Sequence, residues 1–432
     1  MGKLLSHKPE HGLKEFILRS GASVYVPEDA ISIVPGEMLV FRGMITSYIN
    51  RDSDNLVASF LRDNTVADLI QEVQDWSGSW SIMIISDRGS VTCFTDPMGM
   101  EQLYYNRHGE FADDILSLRH SEYSIDELYK STVSKWGYNI DDRTPWNEIK
   151  RVSPNHLYTF MGSEPTFVDI KPYYKFEAPH REAFILSLVR EAVEEELIHL
   201  PKGTKSIGIL LSGGIDSSII SYTLLGLKRG DWLPHLDNVD FHFYTINNAE
   251  DTPFVNLFAE RFNIKVMRLS YDMWNTDLNA ALMINEVPVD LGSMVPNQKM
   301  FQLVQDEVIF TGDGADELFG GYRRIDDYDS QKSDVFHELR YYHIPRLKKA
   351  ARYYGKDLRC PFLNLNIVKA ALALPLSERT HKKCLKTAFR GSIPDEILDR
   401  QKLPLKNDKL RENPTEYRKE LIHTYYQNPL IF

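Results

Sequence analysis

The chain has 432 residues, of which 43% are hydrophobic and 26% charged, and its formal net charge is −11. That length exceeds one compact core and predicts two domains, and the balance is that of a folded globular protein rather than a disordered one. Acidic and basic residues are mixed along the chain, which argues against general nucleic-acid binding, and no run reaches the roughly 18 apolar residues of a membrane span.

The segment MGKLLSHKPEHGLKEF lacks the apolar stretch of a secretory signal, and Gly2 with Ser6 meets a lipidation pattern of the kind that short motifs meet by chance. Residues beyond it read as mostly β. GEMLVFRGMI (36–45), SIMIISDRGSVTCFTD (81–96) and NHLYTFMG (155–162) are apolar runs, the second folded about an Asp-Arg-Gly-Ser turn. DNTVADLIQEVQDW (63–76) spaces Val66, Leu69, Ile70 and Val73 as one helix face, with Asn64 as its expected cap. FVDIKPYYKFEAPHRE (167–182) reads as a connector with two prolines and no periodicity.

EAFILSLVREAVEEELIHL (182–200) then predicts an amphipathic helix, and the grammar changes to strand, helix, strand, helix. Strands are expected at 206–211, 239–246 and 307–310, and helices at 217–227 and near 254–262. This is the pattern of an open parallel sheet covered on both faces, whose ligands lie beyond the carboxyl ends of the strands. Two Gly-rich loops fall there. The three cysteines, Cys93, Cys360 and Cys384, stand far apart without metal-ligand spacing, which fits a reducing, cytoplasmic compartment.

The first loop lies in ILLSGGIDSSII (209–220). Its glycines bring backbone amides to an anion, Ser212, Ser217 and Ser218 add hydroxyl donors, and the following helix presents its positive end. No Gly-Lys-Ser/Thr follows, so this is not a Walker loop. Asp216 puts a carboxylate beside the phosphate site, which calls for Mg²⁺ between them. The loop resembles the pyrophosphate loop of ATP pyrophosphatases, Ser-Gly-Gly-hydrophobic-Asp-Ser-Ser, which implies attack at the α-phosphorus with AMP and pyrophosphate as products. The resemblance implies nucleotide contacts from Leu210, Ser212, Gly213, Gly214, Asp216, Ser217, Ser218 and Ile246.

FTGDGADELFGGYRR (310–324) packs Asp313, Asp316 and Glu317 between glycines without EF-hand spacing. It resembles the asparagine synthetase signature, Ser-Gly-Glu-Gly-Ala/Ser-Asp-Glu-Leu-Phe-Gly-Gly-Tyr. By that match Asp316 is the second Mg²⁺ carboxylate beside Asp216, Thr311 and Gly312 line the nucleotide, and Asp313 stands for the catalytic glutamate that accepts a proton from the attacking amine. β-Lactam synthetases, close relatives, place Tyr there. The stretch NEVPVD (285–290) resembles a Glu-x-Pro segment of these enzymes, with Glu286 suited equally to a functional or a structural carboxylate.

The third block comprises LRCPFLN (358–364), KKCLKTAF (382–389) and IPDEILDRQK (393–402), similar to Glu-Ala-Arg-x-Pro-Phe-Leu-Asp, Lys-x-x-Leu-Arg and Pro-x-x-Ile-x-x-Arg-x-Lys. Asp357, Asn364 and Lys386 replace Glu, Asp and Arg. The match implies that Lys402 neutralises charge on the α-phosphate and pyrophosphate, and that Lys382 is an auxiliary phosphate contact.

The N-terminal part resembles a class II amidotransferase glutaminase that has lost its chemistry. Position 2 is Gly where the nucleophilic Cys is expected, Arg42 replaces an oxyanion-stabilising Asn and Met44 replaces Glu, although GSWSIMIISD (78–87) and DPMGMEQLYY (96–105) keep the layout. The implied class is α/β: a degenerate Ntn-type αββα sandwich over residues 1–175, then a doubly wound parallel-sheet, adenine nucleotide α-hydrolase-like synthetase domain over residues 180–432. The expected activity is ATP- and Mg²⁺-dependent activation of a small-molecule or peptide carboxylate, then capture by ammonia or a substrate amine. An ammonia-dependent asparagine synthetase, a peptide or β-lactam-type cyclase, a catalytically silent scaffold and another pyrophosphate-loop chemistry are the alternatives.

Overall fold

The computed structural model describes residues 2–47, 53–136, 138–139, 141–161, 168–172, 185–230, 233–247, 250–270, 284, 291–322, 334–400, 423 and 426–427. Over these the protein is mixed α/β, with antiparallel sheets drawn from residues 3–172 and a parallel sheet from residues 206–359.

The larger antiparallel sheet runs Val168–Pro172, His156–Phe160, Val91–Thr95, Gly78–Ser86, Glu37–Ile45 and Ile31–Ser32 in spatial order. The expected hairpin is at its centre, with Ser81 opposite Thr95 and Ile85 opposite Val91. Side chains on a strand alternate between faces, and here both faces are buried. Trp80, Ile82, Ile84 and Phe94 enter one apolar cluster, while Met83, Ile85, Val91 and Cys93 enter another with Leu4, Leu5 and Phe111 of the four-stranded sheet.

Two sequence expectations change. The helix Val66–Glu72 is capped by Thr65 rather than Asn64: Thr65 Oγ1 accepts the Asp68 amide while the Asp68 carboxylate accepts the Thr65 amide, a reciprocal pair that Asn64 has no acid to complete. Part of the expected connector is the edge strand Val168–Pro172, where proline is tolerated; its remaining residues lie outside the described ones.

The parallel sheet has the order Val266–Leu269, Asp240–Ile246, Ser206–Leu210, Val308–Phe310, Asp357–Arg359. The three strands expected from sequence are its centre. The two edges were not legible: one is half-exposed and carries Arg268, the other is three residues long. Chain order reverses between Ser206–Leu210 and Val308–Phe310, which makes the crevice above that pair the switch point where ligands bind on open sheets. Both Gly-rich loops leave from there.

Buried polar contacts fix the antiparallel part against the parallel part. Arg340 donates to the Pro97 carbonyl at 2.9 Å and to Asn155 Oδ1 at 2.8 Å, Arg352 pairs with Glu101, and Lys349 Nζ donates to the Tyr104 hydroxyl at 2.5 Å. One apolar cluster continues from Trp76 and Trp80 to Phe362 and Leu385. Among the described residues no helix is long and apolar enough to cross a membrane.

Candidate functional site

The first loop links the strand Ser206–Leu210 to the helix Ile215–Arg229. Ser217 Oγ accepts the Ser212 amide at 3.1 Å and donates to the Gly214 carbonyl at 3.1 Å, so the loop is folded over its own helix start. Gly213 has φ +71°, a left-handed conformation, and a Cβ there would stand 3.0 Å from Phe254 Cβ. The helix begins at Gly214 with no side-chain cap, which leaves its first amides for another acceptor. Ser218 Oγ is buried without a hydrogen-bond partner among the described residues. Leu210 ends its strand, and Ile246 ends the neighbouring one two residues beyond the Leu210–Tyr244 pair.

The second loop is packed directly on the first. A Cβ on Gly312 would lie 2.7 Å from both Asp216 C and Ser217 N, so glycine is what permits the two loops to touch. Thr311 donates its hydroxyl to Asp313 Oδ2 at 2.5 Å, and its amide is held by the Arg359 carbonyl at 3.0 Å. Asp316 and Glu317 are buried on the short helix Ala315–Leu318, Glu317 accepting the Tyr322 hydroxyl at 2.6 Å.

Asp216 and Asp316 therefore meet across the switch point, and Lys382 lies between them. Its Nζ is 2.5 Å from Asp216 Oδ2 and 2.5 Å from Asp316 Oδ1. Asp216 Oδ1 is buried with no hydrogen-bond partner among the described residues. Two converging carboxylates, one with a buried oxygen that has no partner among the described residues, are ligands of the kind a divalent oxygen-liking ion takes, and the Lys382 ammonium stands between them. Lys382 reaches this point through an unusual backbone: His381 and Lys382 have φ +56° and +59°. Left-handed non-glycine residues cost about 1–3 kcal/mol each and persist where surroundings over-determine them. Here the His381 and Lys382 amides donate to the Gly320 and Phe319 carbonyls at 2.8 and 2.9 Å, tying this segment to the end of the signature loop.

In the third block, Arg359 is buried against Glu196 at 2.8 Å and Asp357 at 2.6 Å. Arg400 approaches the Ser212 carbonyl at 3.4 Å, pairs with Asp251 and lies 4.3 Å from the Phe254 ring centroid. Lys402, two residues on, lies outside the described residues, as does Glu286. Sequence reasoning missed Gly321, Arg400 and the central place of Lys382. The Gly-Gly after the signature loop and the Arg two positions before Lys402 were the available signals.

The thiols are poor nucleophiles: burial pushes Cys93 and Cys360 up, and Cys384 is pushed up to about 11. A cavity of about 760 Å³ lies between the antiparallel and parallel parts, bounded by Arg42, Met44, Glu101, Glu196, Arg352 and Arg359. Arg42 pairs with Asp29 at 3.0 Å, and Arg359 Nη1 approaches Met44 Sδ at 3.2 Å.

Gly-rich loops, acid pair and switch point together define the class: an open parallel-sheet protein with its polar groups gathered where such sheets take ligands. The Asparagine synthase family model matches residues 185–353 and 335–427, more than half of the chain, and the chain belongs to that family. Proteins named as glutamine-hydrolysing asparagine synthetases are similar to it. One from Methanocaldococcus jannaschii is 23% identical over 350 residues, covering 75% of this chain and 60% of the relative. One from Acanthamoeba polyphaga mimivirus is 22% identical over 339 residues, covering 71% and 59%. One from Brassica oleracea is 24% identical over 299 residues, covering 58% and 47%. The chain thus spans about half to three-fifths of the length of these relatives.

Proposed function

We propose that this protein is an ATP-dependent, AMP-forming amide synthetase that activates a carboxylate as its adenylate and passes it to ammonia or a substrate amine without hydrolysing glutamine. The observation that carries this reading is the meeting of Asp216, Asp316 and Lys382 at the switch point, directly beside the amide-rich start of the helix Ile215–Arg229.

In this reading the amides of Gly213 and Gly214 and the hydroxyls of Ser212, Ser217 and Ser218 receive the pyrophosphate portion of ATP, with Leu210, Ile246, Thr311 and Gly312 bordering the nucleotide. Mg²⁺ would be held by Asp216 and Asp316 and supplies neutralisation of the phosphate charge. Lys382 and Lys402 add positive charge where the α-phosphate bond breaks. Asp313 accepts the proton of the attacking amine, and the Thr311 hydroxyl on one of its oxygens fixes which oxygen is available. The residues at positions 1–175 form a degenerate Ntn-type sandwich in this reading, and residues 180–432 the synthetase domain of a cytoplasmic enzyme. Arg42, engaged with Asp29, brings a cation and no amide to the expected oxyanion position, which supports a nitrogen source other than glutamine. The raised thiols weigh against persulfide chemistry.

One observation favours a second reading. Lys382 fills the space between the carboxylates, as it would in a silent homologue whose metal position is closed. Pyrophosphate release from ATP, measured with panels of carboxylates with and without ammonium or amines, separates the two. The synthetase reading expects carboxylate-dependent AMP formation, retained in Asp313→Asn at the adenylation stage and lost in Lys402→Ala. No MgATP binding and no turnover with any panel would support the scaffold instead.

A further inference from the structure

A cluster of histidine and glutamate side chains lies on the turn and loop that follow the strand Tyr104–Asn106. Asn106 organises the turn: its Oδ1 accepts the amides of His108 and Glu110 at 3.0 and 3.1 Å, and its Nδ2 donates to Glu110 Oε2 at 2.7 Å. This fixes the backbone beneath His108 and places the Glu110 side chain, 6% exposed, at the centre. Its other oxygen, Oε1, accepts from the Lys3 ammonium at 3.0 Å.

Glu110 Oε2 lies 2.8 Å from His120 Nε2. In the tautomer that donates from Nε2 to this carboxylate, the Nδ1 lone pair points the other way. On that side are Glu122 Oε1, 4.0 Å from His120 Nδ1, and His108 Nε2, 3.5 Å from the same oxygen. The ligand atoms of His108, His120 and Glu122 all lie within 4.8 Å of one another. Bonds of roughly 2.0–2.2 Å about a tetrahedral zinc place its ligands about 3.3–3.6 Å apart, so the His108–Glu122 edge is already at that spacing and the others must close from within 4.8 Å. The Tyr123 ring, stacked on His108 at 17°, limits how far that imidazole turns.

We propose that His108, His120 and Glu122 bind a transition-metal dication of the zinc type, with Glu110 as the carboxylate that orients His120. Two imidazoles and one carboxylate suit zinc rather than Mg²⁺ or Ca²⁺, which take oxygen. The ion staples the turn at residues 107–110 to the loop at residues 120–123. Arg107 opposes it, with Nη2 3.4 Å from Glu122 Oε1.

The test uses the full chain stripped of metal by a chelator, titrated with Zn²⁺ by calorimetry, and with Co²⁺ to read four-coordinate ligation in the visible spectrum. His108→Ala and Glu122→Gln alter half-exposed side chains and leave the fold intact, which circular dichroism checks. Wild type is expected to bind one equivalent that both variants lose, with a Zn²⁺-dependent rise in melting temperature absent from the variants. Arg107→Gln is expected to tighten binding several-fold. Glu110→Gln, which removes the orienting charge, should weaken it by roughly 10–100-fold. Equal zinc binding by wild type and both ligand variants, or no Zn²⁺-dependent shift in wild type, overturns the proposal. Any zinc held by Asp216 and Asp316 is distinguished because it survives in His108→Ala.

Discussion

Gly321 and Asp316 touch at a limit that only a missing side chain allows: a Cβ on Gly321 would lie 1.8 Å from Asp316 Oδ1 and 2.5 Å from Lys382 Cε. The second glycine of the Gly320–Gly321 pair that ends the signature is thus the wall behind the acid–lysine contact. Gly321→Ala must push either the carboxylate or the ammonium out of place. Misplacing a charge by an ångström at a reacting centre costs on the order of 100-fold in rate. We expect pyrophosphate release to fall by at least about that factor, while overpacking lowers stability by about 1–3 kcal/mol. Thermal unfolding beside the pyrophosphate assay separates the two effects, and wild-type turnover in Gly321→Ala would remove Asp316 from the working site.

Lys382 contacts two carboxylates at 2.5 Å each and offsets one of their two charges. Lys382→Met leaves them facing each other across a buried space, which costs about 3–5 kcal/mol when one partner of a buried pair is removed. A divalent ion relieves that repulsion. The expected outcome is a lower melting temperature for Lys382→Met in chelator, with Mg²⁺ alone giving a larger upward shift than it gives wild type. If Mg²⁺ shifts the variant no more than wild type, the acid pair is not a metal site.

Arg400 joins the segment before Lys402 to the first loop through Asp251, the Ser212 carbonyl and the Phe254 ring. In the proposed synthetase it is a positioning residue. Arg400→Met keeps apolar contact with Phe254 and removes both polar ties. The KM for ATP is expected to rise by roughly 10-fold or more, with the melting temperature falling only slightly, since a single charged hydrogen-bond pair is worth about 1.5–3 kcal/mol. A change in kcat alone would place the effect elsewhere.

The central strands and the two loops could be read from the chain because each rests on local pattern, a short apolar run with glycines at its carboxyl end and an acid after them, whereas the pairing of Asp216 with Asp316 came only from the resemblance to the synthetase signature. Strand order could not, because the position of Asp357–Arg359 beside Val308–Phe310 depends on pairing between distant segments. Lys382 illustrates the same limit. As one lysine in KKCLKTAF it has no mark of burial, and its place between the acids comes from two left-handed residues and from the Gly320 and Phe319 carbonyls. Thr65 and Asn64 were separable only by the reciprocal bond with Asp68.

Asn364 stands where the resembling synthetases carry Asp, and its neighbours give the reason. Its Oδ1 caps the helix Leu365–Ala373 by accepting the Asn366 amide at 3.0 Å, while its Nδ2 donates to Glu195 Oε2 at 2.7 Å. Aspartate would keep the cap and lose the donor, and would set a second carboxylate against Glu195. Burial, with the acids Glu196, Glu191 and Glu194 nearby, already pushes Glu195 up to about 7 despite the Asn364 hydrogen bond. A folded value above the unfolded 4.5 means that the folded state binds the extra proton. This contribution to stability is full below about 4.5 and is lost as pH rises through about 7. With partial exposure discounted, the loss across that window is about 2 kcal/mol. Glu195→Gln should therefore flatten the pH dependence of the unfolding free energy between those values, because the amide has no proton to lose. Asn364→Asp should steepen it, destabilising little at the acid end and by about 1–3 kcal/mol at neutral pH, where the new carboxylate keeps the Asn366 amide but faces the Glu195 charge. Chemical denaturation of the three proteins from pH 4.5 to 8 reads this directly. A destabilisation by Asn364→Asp that stays constant across the range would mean that the two side chains do not share a proton-linked contact.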